Sequence, residues 1–153
     1  MDTNSVTCRQ VSSCEQYSIQ LACAYIGPML CGFDIQHVQE IKKHTEITSV
    51  PLSLNHIYGI MNLRGQIVTV IDLGVKLNLF AQDRQEKQIV IVNWNKEYIG
   101  LMVDEIFDVL TIEKEKILPA PANIQGTQGK YFQGIYHFEK DLIGIINMDV
   151  AID

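Results

Sequence analysis

The hydrophobic pattern is densest over residues 57–73, where two apolar segments flank a short polar link. Both segments, 57–63 and 67–73, are rich in β-branched residues, so the pattern predicts the two strands of a β-hairpin. Gly65 in the link can take the positive φ that tight hairpin turns need. Each segment is too apolar for simple alternation, which favours strands with both faces covered.

The same framework recurs 75 positions later, over residues 132–148. Two further blocks recur in the same order: residues 32–41 match 100–109, and residues 47–51 match 117–121. Three ordered matches indicate two copies of a β-rich unit of roughly 70 residues. The sequence therefore predicts two similar lobes, with repeat one at about 16–80 and repeat two at about 89–151.

The remaining segments complete the predicted organisation. Residues 1–15 are polar and aperiodic, which is typical of a flexible N-terminal tail, and the charged segment 81–88 is the predicted connection between the repeats. Strands are predicted at 16–24, 29–35 and, as a hairpin with a polar tip, at 89–103. A helical turn leading into a strand over 36–41 would place Val38 and Ile41 inside and expose Glu40. Trp94, at the hairpin tip, is either an interface aromatic or a residue folded back onto its lobe.

Composition fits a globular protein without nucleic-acid or membrane-spanning features. Of 153 residues, 47% are hydrophobic and 20% charged, so the chain can bury a core. The net charge of −6 and the scattered Lys and Arg disfavour nucleic-acid binding. No apolar run reaches the ~18 residues of a membrane-spanning helix, and no signal-peptide pattern opens the chain. We expect a cytoplasmic protein.

Motifs for catalysis or cofactor binding are missing from the sequence. Phosphate-binding loops, dinucleotide fingerprints and nucleophile elbows are absent, and the histidines are isolated from one another and from cysteine. We expect no metal site, no cofactor and no enzymatic activity. The cysteines lack metal-ligand spacing, and free thiols are expected at Cys8, Cys14, Cys23 and Cys31. Three carboxylates beside apolar strands are expected to bond nearby backbone amides, namely Asp72, Asp104 and Asp108.

Several motifs together resemble the CheW family of chemotaxis coupling proteins. They are FDIQHVQEI, ITSVP, GIMNLRGQIVTVIDL, IGLMVDEIFDVLTI, ILPAP and FQGIYHFEKDLIGIINM, and the match spans about residues 17–150. The resemblance implies an all-β fold of two SH3-like five-stranded β-barrel lobes around a shared hydrophobic interface. It also implies a non-enzymatic adaptor between the cytoplasmic tip of a methyl-accepting chemoreceptor and the regulatory domain of a CheA-type histidine kinase. Such a protein would be recruited to membrane-associated receptor arrays without inserting into the membrane.

The resemblance also implies binding residues. A receptor-binding groove would contain Val38, Glu40, Gly59, Arg64 and Gly65. Glu40 and Arg64 match a pair that lies close together in this family, where a charge-assisted bond would fix the hairpin turn; two independent exposed charges remain the alternative. The kinase-binding candidates are Ile47, Val50, Gly100, Leu101 and Val103.

Two positions depart from the family pattern. Thr69 stands where proline is common, and Gly74 stands where arginine is common, which removes a charge beside the proposed groove. Two alternative functions stay open. The same fold could serve another chemosensory array, controlling twitching motility or gene expression. A small-molecule-binding β-barrel would instead need a deep pocket with converging polar groups.

Overall fold

The computed structural model describes residues 17–43, 47–49, 55–79, 87–124 and 126–152. The predicted tail, most of the charged connection and the candidate Val50 lie outside these residues. The strands are β1 (Ser18–Ile26), β2 (Met29–Asp34), β3 (Val38–Lys43), β4 (Ile57–Leu63), β5 (Gln66–Asp72), β6 (Gln88–Trp94), β7 (Glu97–Val103), β8 (Glu105–Glu113), β9 (Asn123–Ile124), β10 (Thr127–Gln128), β11 (Phe132–Phe138) and β12 (Asp141–Ile146). Short helices follow β5 and β12, namely α1 (Leu73–Lys76) and α2 (Met148–Ile152). No helix among the described residues has the length and apolarity needed to cross a membrane.

Two five-stranded sheets form the two lobes. Lobe one has the spatial order β3-β6-β7-β5-β4, and lobe two has the order β11-β12-β2-β1-β8. In lobe one, Thr48 and Ile60 exchange two backbone hydrogen bonds of 2.9 Å, which link the segment after β3 to β4. In lobe two, Leu118 and Ile135 exchange two bonds of 2.8 Å in the same way. These bonds join the two edges of each sheet, and the predicted two-lobed all-β fold is confirmed.

The two sequence repeats do not coincide with the two lobes. The β1–β2 hairpin of repeat one joins the sheet of lobe two, where β1 pairs antiparallel with β8 and β2 pairs parallel with β12. The β6–β7 hairpin of repeat two joins lobe one, where β6 pairs antiparallel with β3 and β7 pairs parallel with β5. The repeats have therefore exchanged their first hairpins, and each lobe needs both halves of the chain.

The irregularities in the strands also recur at matching positions of the two repeats. The β3–β6 register skips Gln39, and the β8–β1 register skips Phe107, which lies 68 positions later. These β-bulges occupy equivalent positions of the two lobes. The agreement extends to the barrel-closing bonds, because Thr48 and Leu118 lie 70 positions apart in the matching blocks. The repeat read from the sequence is thus a repeat of backbone geometry.

The largest apolar cluster lies between the lobes. Ile26 and Phe33 of the β1–β2 hairpin pack there with Val92, Leu101 and Val103 of the β6–β7 hairpin, and all five side chains are at most 1% exposed. Smaller clusters fill each barrel, around Val68 and Val70 in lobe one and around Leu21 and Ile143 in lobe two. The exchanged hairpins are apolar on both faces because one face fills a barrel and the other fills the interface.

The hairpin predicted over residues 57–73 is confirmed, with a correction to its burial. Strands β4 and β5 are joined by Arg64 at φ 52° and Gly65 at φ 87°, both in the left-handed region. In β5, however, the buried Val68 and Val70 alternate with Ile67, which is 66% exposed, and with the exposed Thr69. The expectation that both faces are covered is wrong here because the outer face of this barrel wall meets solvent.

A second correction concerns β3, whose predicted inner and outer faces are reversed at one point. The expected turn is present as a 3₁₀ turn at Ile35–His37. The turn ends at His37 and the chain is extended from Val38 onward, so side chains alternate: the half-buried Glu40 shares the side of Val38, and Ile41, 41% exposed, lies on the other side. At the tip of the β6–β7 hairpin, Trp94 packs edge-on against His37 at 4.8 Å between ring centroids, which is the folded-back alternative.

Asp104 connects the two lobes at the point where the chain crosses from β7 to β8. Its carboxylate is 5% exposed; Oδ2 accepts the backbone N–H of Gly27 at 2.6 Å, and Oδ1 lies 2.6 Å from Lys87 Nζ. Gly27 belongs to the β1–β2 turn, whereas Lys87 precedes β6. One buried carboxylate thereby joins both exchanged hairpins to the crossover. Removing it would leave a partly buried ammonium group without its counter-ion.

We expect Asp104→Ala to lower the free energy of unfolding by about 3–5 kcal/mol, because it breaks a buried ion pair and orphans a backbone N–H. Asp104→Asn should cost less, since the amide oxygen can still accept from Gly27. Urea unfolding followed by circular dichroism would measure both. The exposed Glu115→Ala is the control, expected within about 0.5 kcal/mol of wild type. Equal losses in Asp104→Ala and the control would contradict this role of Asp104.

Cys23 and Cys31 are buried free thiols on neighbouring strands, as the sequence predicted for them. Burial, with a smaller contribution from Asp108, raises the pKa of Cys23 to about 12. Burial and the neighbouring Cys23 also raise the pKa of Cys31. Cys23 faces Gly32 and Cys31 faces Ala24 in the β1–β2 register, so their side chains point to opposite faces of the sheet and do not pair.

We expect neither thiol to react in the folded protein at pH 8, because the nucleophilic thiolate is suppressed by the raised pKa values and the sulfur atoms are inaccessible. Alkylation of a Cys8→Ser/Cys14→Ser variant, followed by mass spectrometry, would test this. Adducts should form only after denaturation in urea. Modification at Cys23 or Cys31 in the native state would show that the β1–β2 hairpin opens.

Candidate functional site

The candidate site begins at the β4–β5 turn of lobe one. Gly65 donates its backbone N–H to Asn62 Oδ1 at 2.8 Å, which stabilises the two-residue turn. Gly65 has open space where a side chain would stand. Arg64 occupies the other turn position and directs its guanidinium group outward, with 71% of the side chain exposed. The turn therefore places one cation at the rim of the barrel.

Glu40 meets this cation from the opposite edge of the sheet. Arg64 Nη2 donates to Glu40 Oε2 at 2.9 Å, and the Glu40 side chain is 24% exposed. Strand alternation places Glu40 on the same side of β3 as Val38, and from there its carboxylate reaches the β4–β5 turn. The bond contributes only ~0–1 kcal/mol to stability in so exposed a setting. Its effect is to fix where both charges lie.

One oxygen of this pair is left without a donor. Glu40 Oε1 is buried and accepts no hydrogen bond from the described residues. Buried acceptors are normally satisfied, and leaving one unpaired costs about 1–3 kcal/mol. Because Oε1 has almost no accessible surface, it is not open to a partner. The pair thus presents one accessible charged donor, Arg64, held by a half-buried carboxylate.

The other predicted groove residues lie in different environments. Val38 lies two residues before Glu40 on β3 and is half-buried against the interlobe core. Gly59 is buried at the far end of β4, where a Cβ atom would overlap the carbonyl oxygen of Thr48. The glycine is thus explained by the close approach of the barrel-closing segment. The structure brings together Glu40, Arg64 and Gly65. Gly59 lies apart from them on β4 and allows the Thr48 segment to close the barrel.

Three of the predicted kinase-binding residues lie in the interior of the protein. Leu101 is 0% exposed and Val103 is 1% exposed, both in the core between the lobes. Gly100 is buried, with Ile89 and Val70 packed where its side chain would be. These three residues offer a partner no surface, because β7 is central in its sheet and covered on both faces. Ile47 is half-buried on the lobe-one core.

The two departures from the family pattern are accommodated locally. Thr69 is exposed on β5 and borders an open cavity of about 490 Å³. At Gly74, a Cβ atom would come within 2.8 Å of the Leu79 carbonyl oxygen, and Leu79 donates its N–H to Gly74 O at 2.8 Å. The 74–79 loop is fitted to glycine. An arginine there would require this loop to shift.

The cavity bordered by Thr69 has a mixed lining. His56 and Gln66 contribute polar groups, and Ile67, Tyr98 and Ile152 contribute apolar ones. Burial, and to a lesser extent Lys76, lower the pKa of His56, so its imidazole is neutral at pH 7. Among the described residues, no group of three His, Cys, Asp or Glu side chains is arranged to hold a metal ion.

The three carboxylates considered for catalysis are engaged with backbone amides, as predicted. Asp72 accepts from Val75 at 3.3 Å, Asp108 accepts from its neighbour Val109 at 2.8 Å, and Asp104 accepts from Gly27. Each carboxylate thereby has a structural role: capping α1, shaping the β8 bulge and joining the lobes. The arrangement supports contacts with a partner protein better than acid–base chemistry.

The sequence reasoning missed an aromatic cluster on lobe two. Phe107, 44% exposed at the β8 bulge, lies edge-on to Tyr25 at 5.8 Å and to Phe138 at 6.3 Å between ring centroids. The repeat carried a signal for it, since Phe107 stands 68 positions after the polar Gln39 in an otherwise matching block. The change from a polar to an aromatic residue between the two copies is the sequence feature that could have indicated this cluster.

Comparison with known proteins agrees with the fold. The family described as "CheW-like domain" matches residues 20–153. A probable chemotaxis protein CheW of Rhizobium etli is 30% identical over 140 residues, which cover 91% of this chain and 90% of that protein. The chemotaxis protein CheW of Klebsiella aerogenes is 33% identical over 119 residues, covering 77% and 72% of the two chains.

A solved structure shares the architecture over nearly the whole length. The crystal structure of the scaffolding protein TtCheW from Thermoanaerobacter tengcongensis superposes with a TM-score of 0.82 at 29% identity, covering 88% of each chain. The family match spans both lobes, including the exchanged hairpins and the β4–β5 turn that bears Arg64. The chain therefore belongs to the CheW-like domain family of chemotaxis proteins.

Proposed function

We propose that this chain is a non-catalytic adaptor that couples methyl-accepting chemoreceptors to a CheA-type histidine kinase in chemotaxis signalling. Family membership supports the chemotaxis scaffold role. The Glu40–Arg64 bond at the rim of lobe one is the single observation that carries the receptor contact. It positions a largely exposed cation and a carboxylate with one unfilled acceptor on a rigid barrel edge.

The receptor contact takes place at Glu40, Arg64 and Gly65, with Val38 alongside. The cytoplasmic tip of a chemoreceptor is a helical hairpin, and Gly65 leaves room for a helix to approach the backbone. Arg64, 71% exposed, pairs with a receptor carboxylate or carbonyl, while Glu40 holds the guanidinium group in place. Gly59 contributes indirectly, because the missing side chain allows the Thr48 segment to close the barrel against β4.

The kinase contact lies on a different part of lobe one. Of the residues predicted for it, Ile47 retains side-chain surface and stands in the segment that closes the barrel against β4. Val50, beyond the described part of this segment, belongs to the same proposal. Two separate surfaces allow receptor and kinase to be held at once, which an adaptor requires. Receptor arrays would then bring the protein to the membrane surface without its own insertion.

We expect Arg64→Ala to weaken receptor binding about tenfold while leaving kinase binding within twofold of wild type, because the cation lies on the receptor surface. Calorimetry with the receptor signalling fragment and the kinase regulatory domain of the same organism would measure both. Lys116→Ala removes a 63% exposed cation from lobe two and is the matched control. Wild-type protein that binds neither fragment would refute the adaptor function.

The reciprocal exchange Glu40→Arg/Arg64→Glu tests whether the pair or the individual charges matter. We expect it to restore the internal bond, and with it the wild-type stability, but not receptor binding, because the unfilled acceptor and the donor have changed places. Urea unfolding and the same calorimetric titration would give the two values. Recovery of full receptor affinity would mean that the bond only shapes the turn.

A further inference from the structure

The Phe107 face of lobe two, defined as Tyr25, Phe107 and Phe138 with Asp108 and Glu139 at its rim, is an exposed apolar surface with an acidic border. The aromatic rings form a continuous row, at 5.8 and 6.3 Å between successive centroids. Phe107 is 44% exposed, whereas Tyr25 and Phe138 are half-buried and pack against the lobe-two core. An exposed ring that is held by two further rings and bordered by carboxylates is typical of a protein contact surface.

The fold does not require these aromatic residues. The equivalent positions of lobe one, found with the same offsets of 68 and 75, hold Asn93, Gln39 and Leu63. Lobe one nevertheless builds the same bulge at Gln39 and a hairpin turn with the same left-handed residue, since Arg64 has φ 52° and Glu139 has φ 55°. The exposed Phe107 ring is therefore additional to what the barrel needs, whereas Phe138, like the buried Leu63, packs against the core of its lobe.

Charge separates the two lobes as well. The described residues of lobe one (38–79 and 87–103) include six Lys or Arg and three Asp or Glu, a net charge of +3. Those of lobe two (17–37 and 104–152) include four Lys and nine Asp or Glu, a net charge of −5. At the Phe107 face, Asp108 and Glu139 stand where lobe one has the pair Glu40 and Arg64. Lys140 follows Glu139 in the turn and only partly offsets the acidic border.

We propose that the Phe107 face binds an arginine-bearing segment of a partner protein. The arginine guanidinium group lies flat over the exposed Phe107 ring and pairs with Asp108 or Glu139. Arginine fits better than lysine because its planar group can stack on a ring and bond a carboxylate at the same time. This surface is separate from the receptor and kinase contacts of lobe one and is independent of them.

Two synthetic 12-residue peptides test the proposal. One carries a central Leu-Arg-Leu, and the other replaces the arginine by citrulline, which keeps the shape but lacks the charge. Titration into the isotopically labelled full chain, followed by NMR, should give saturable shifts at Tyr25, Phe107 and Phe138 with the arginine peptide. Binding of the citrulline peptide should be about tenfold weaker, since both the stacking and the ion pair lose the charge.

Variants based on the other lobe keep the test interpretable. Phe107→Gln installs the residue that lobe one carries at its own bulge, so the fold is expected to survive and binding to fall about tenfold. Asp108→Asn/Glu139→Gln gives a second reading without altering the rings. Ile67→Gln, which removes the 66% exposed aliphatic side chain of lobe one, is the control and should bind as wild type.

Three results would overturn the proposal. They are equal affinity for the two peptides, shifts centred on lobe one, and line broadening at the Phe107 face that grows with protein concentration when no peptide is present. The last result would assign this face to a second copy of the chain. None of these results depends on receptor or kinase binding, so the adaptor function stands or fails separately.

Discussion

The structure depends on burial of the apolar surface between the two lobes. That cluster is the largest in the described chain and draws on both exchanged hairpins, both short helices and both repeats. A barrel wall covered on one side only would leave the apolar inner faces of β2 and β7 in water, at a cost of about 25 cal/mol per Å². Neither lobe can therefore be stable as drawn without the other. The outer rims of both barrels therefore belong to a frame whose two halves stabilise each other.

With the frame fixed in this way, the outer rims are free to differ. The bulges at Gln39 and Phe107 are the same backbone device, yet one carries polar and the other aromatic chemistry. Likewise, the two β-hairpin turns present Arg64 on one lobe and Glu139 on the other at almost the same φ. The repeat thus places an equivalent bulge and an equivalent turn at the rim of each barrel. The side chains at these positions differ in charge between the two lobes. One small protein can thus offer unlike surfaces to unlike partners.

Sequence reasoning reached the strands, the β4–β5 turn and the repeat because these depend on local chemistry: β-branched segments, glycine at positive φ and recurring apolar spacing. The hairpin exchange was beyond its reach. A hydrophobic pattern states that Leu101 is buried but not which strand it is buried against. The same limit applies to Gly100, Leu101 and Val103, since the pattern could not show that both faces of β7 are covered. Nor could the pattern show that the helical turn ends at His37, which decides whether Glu40 or Ile41 shares the side of Val38.

The Glu40–Arg64 contact could be predicted from the sequence only in part. Family resemblance indicated the pair, but only the structure gives the 2.9 Å bond, the unequal exposure of the two side chains and the unfilled oxygen.

The hairpin exchange has a consequence for synthesis on the ribosome. Lobe one is complete once residue 103 has emerged, whereas the β1–β2 hairpin, made first, must wait for β8 and β12 to find its sheet. Its apolar faces stay uncovered during that interval, so the N-terminal hairpin is the part of the nascent chain most in need of protection by a chaperone.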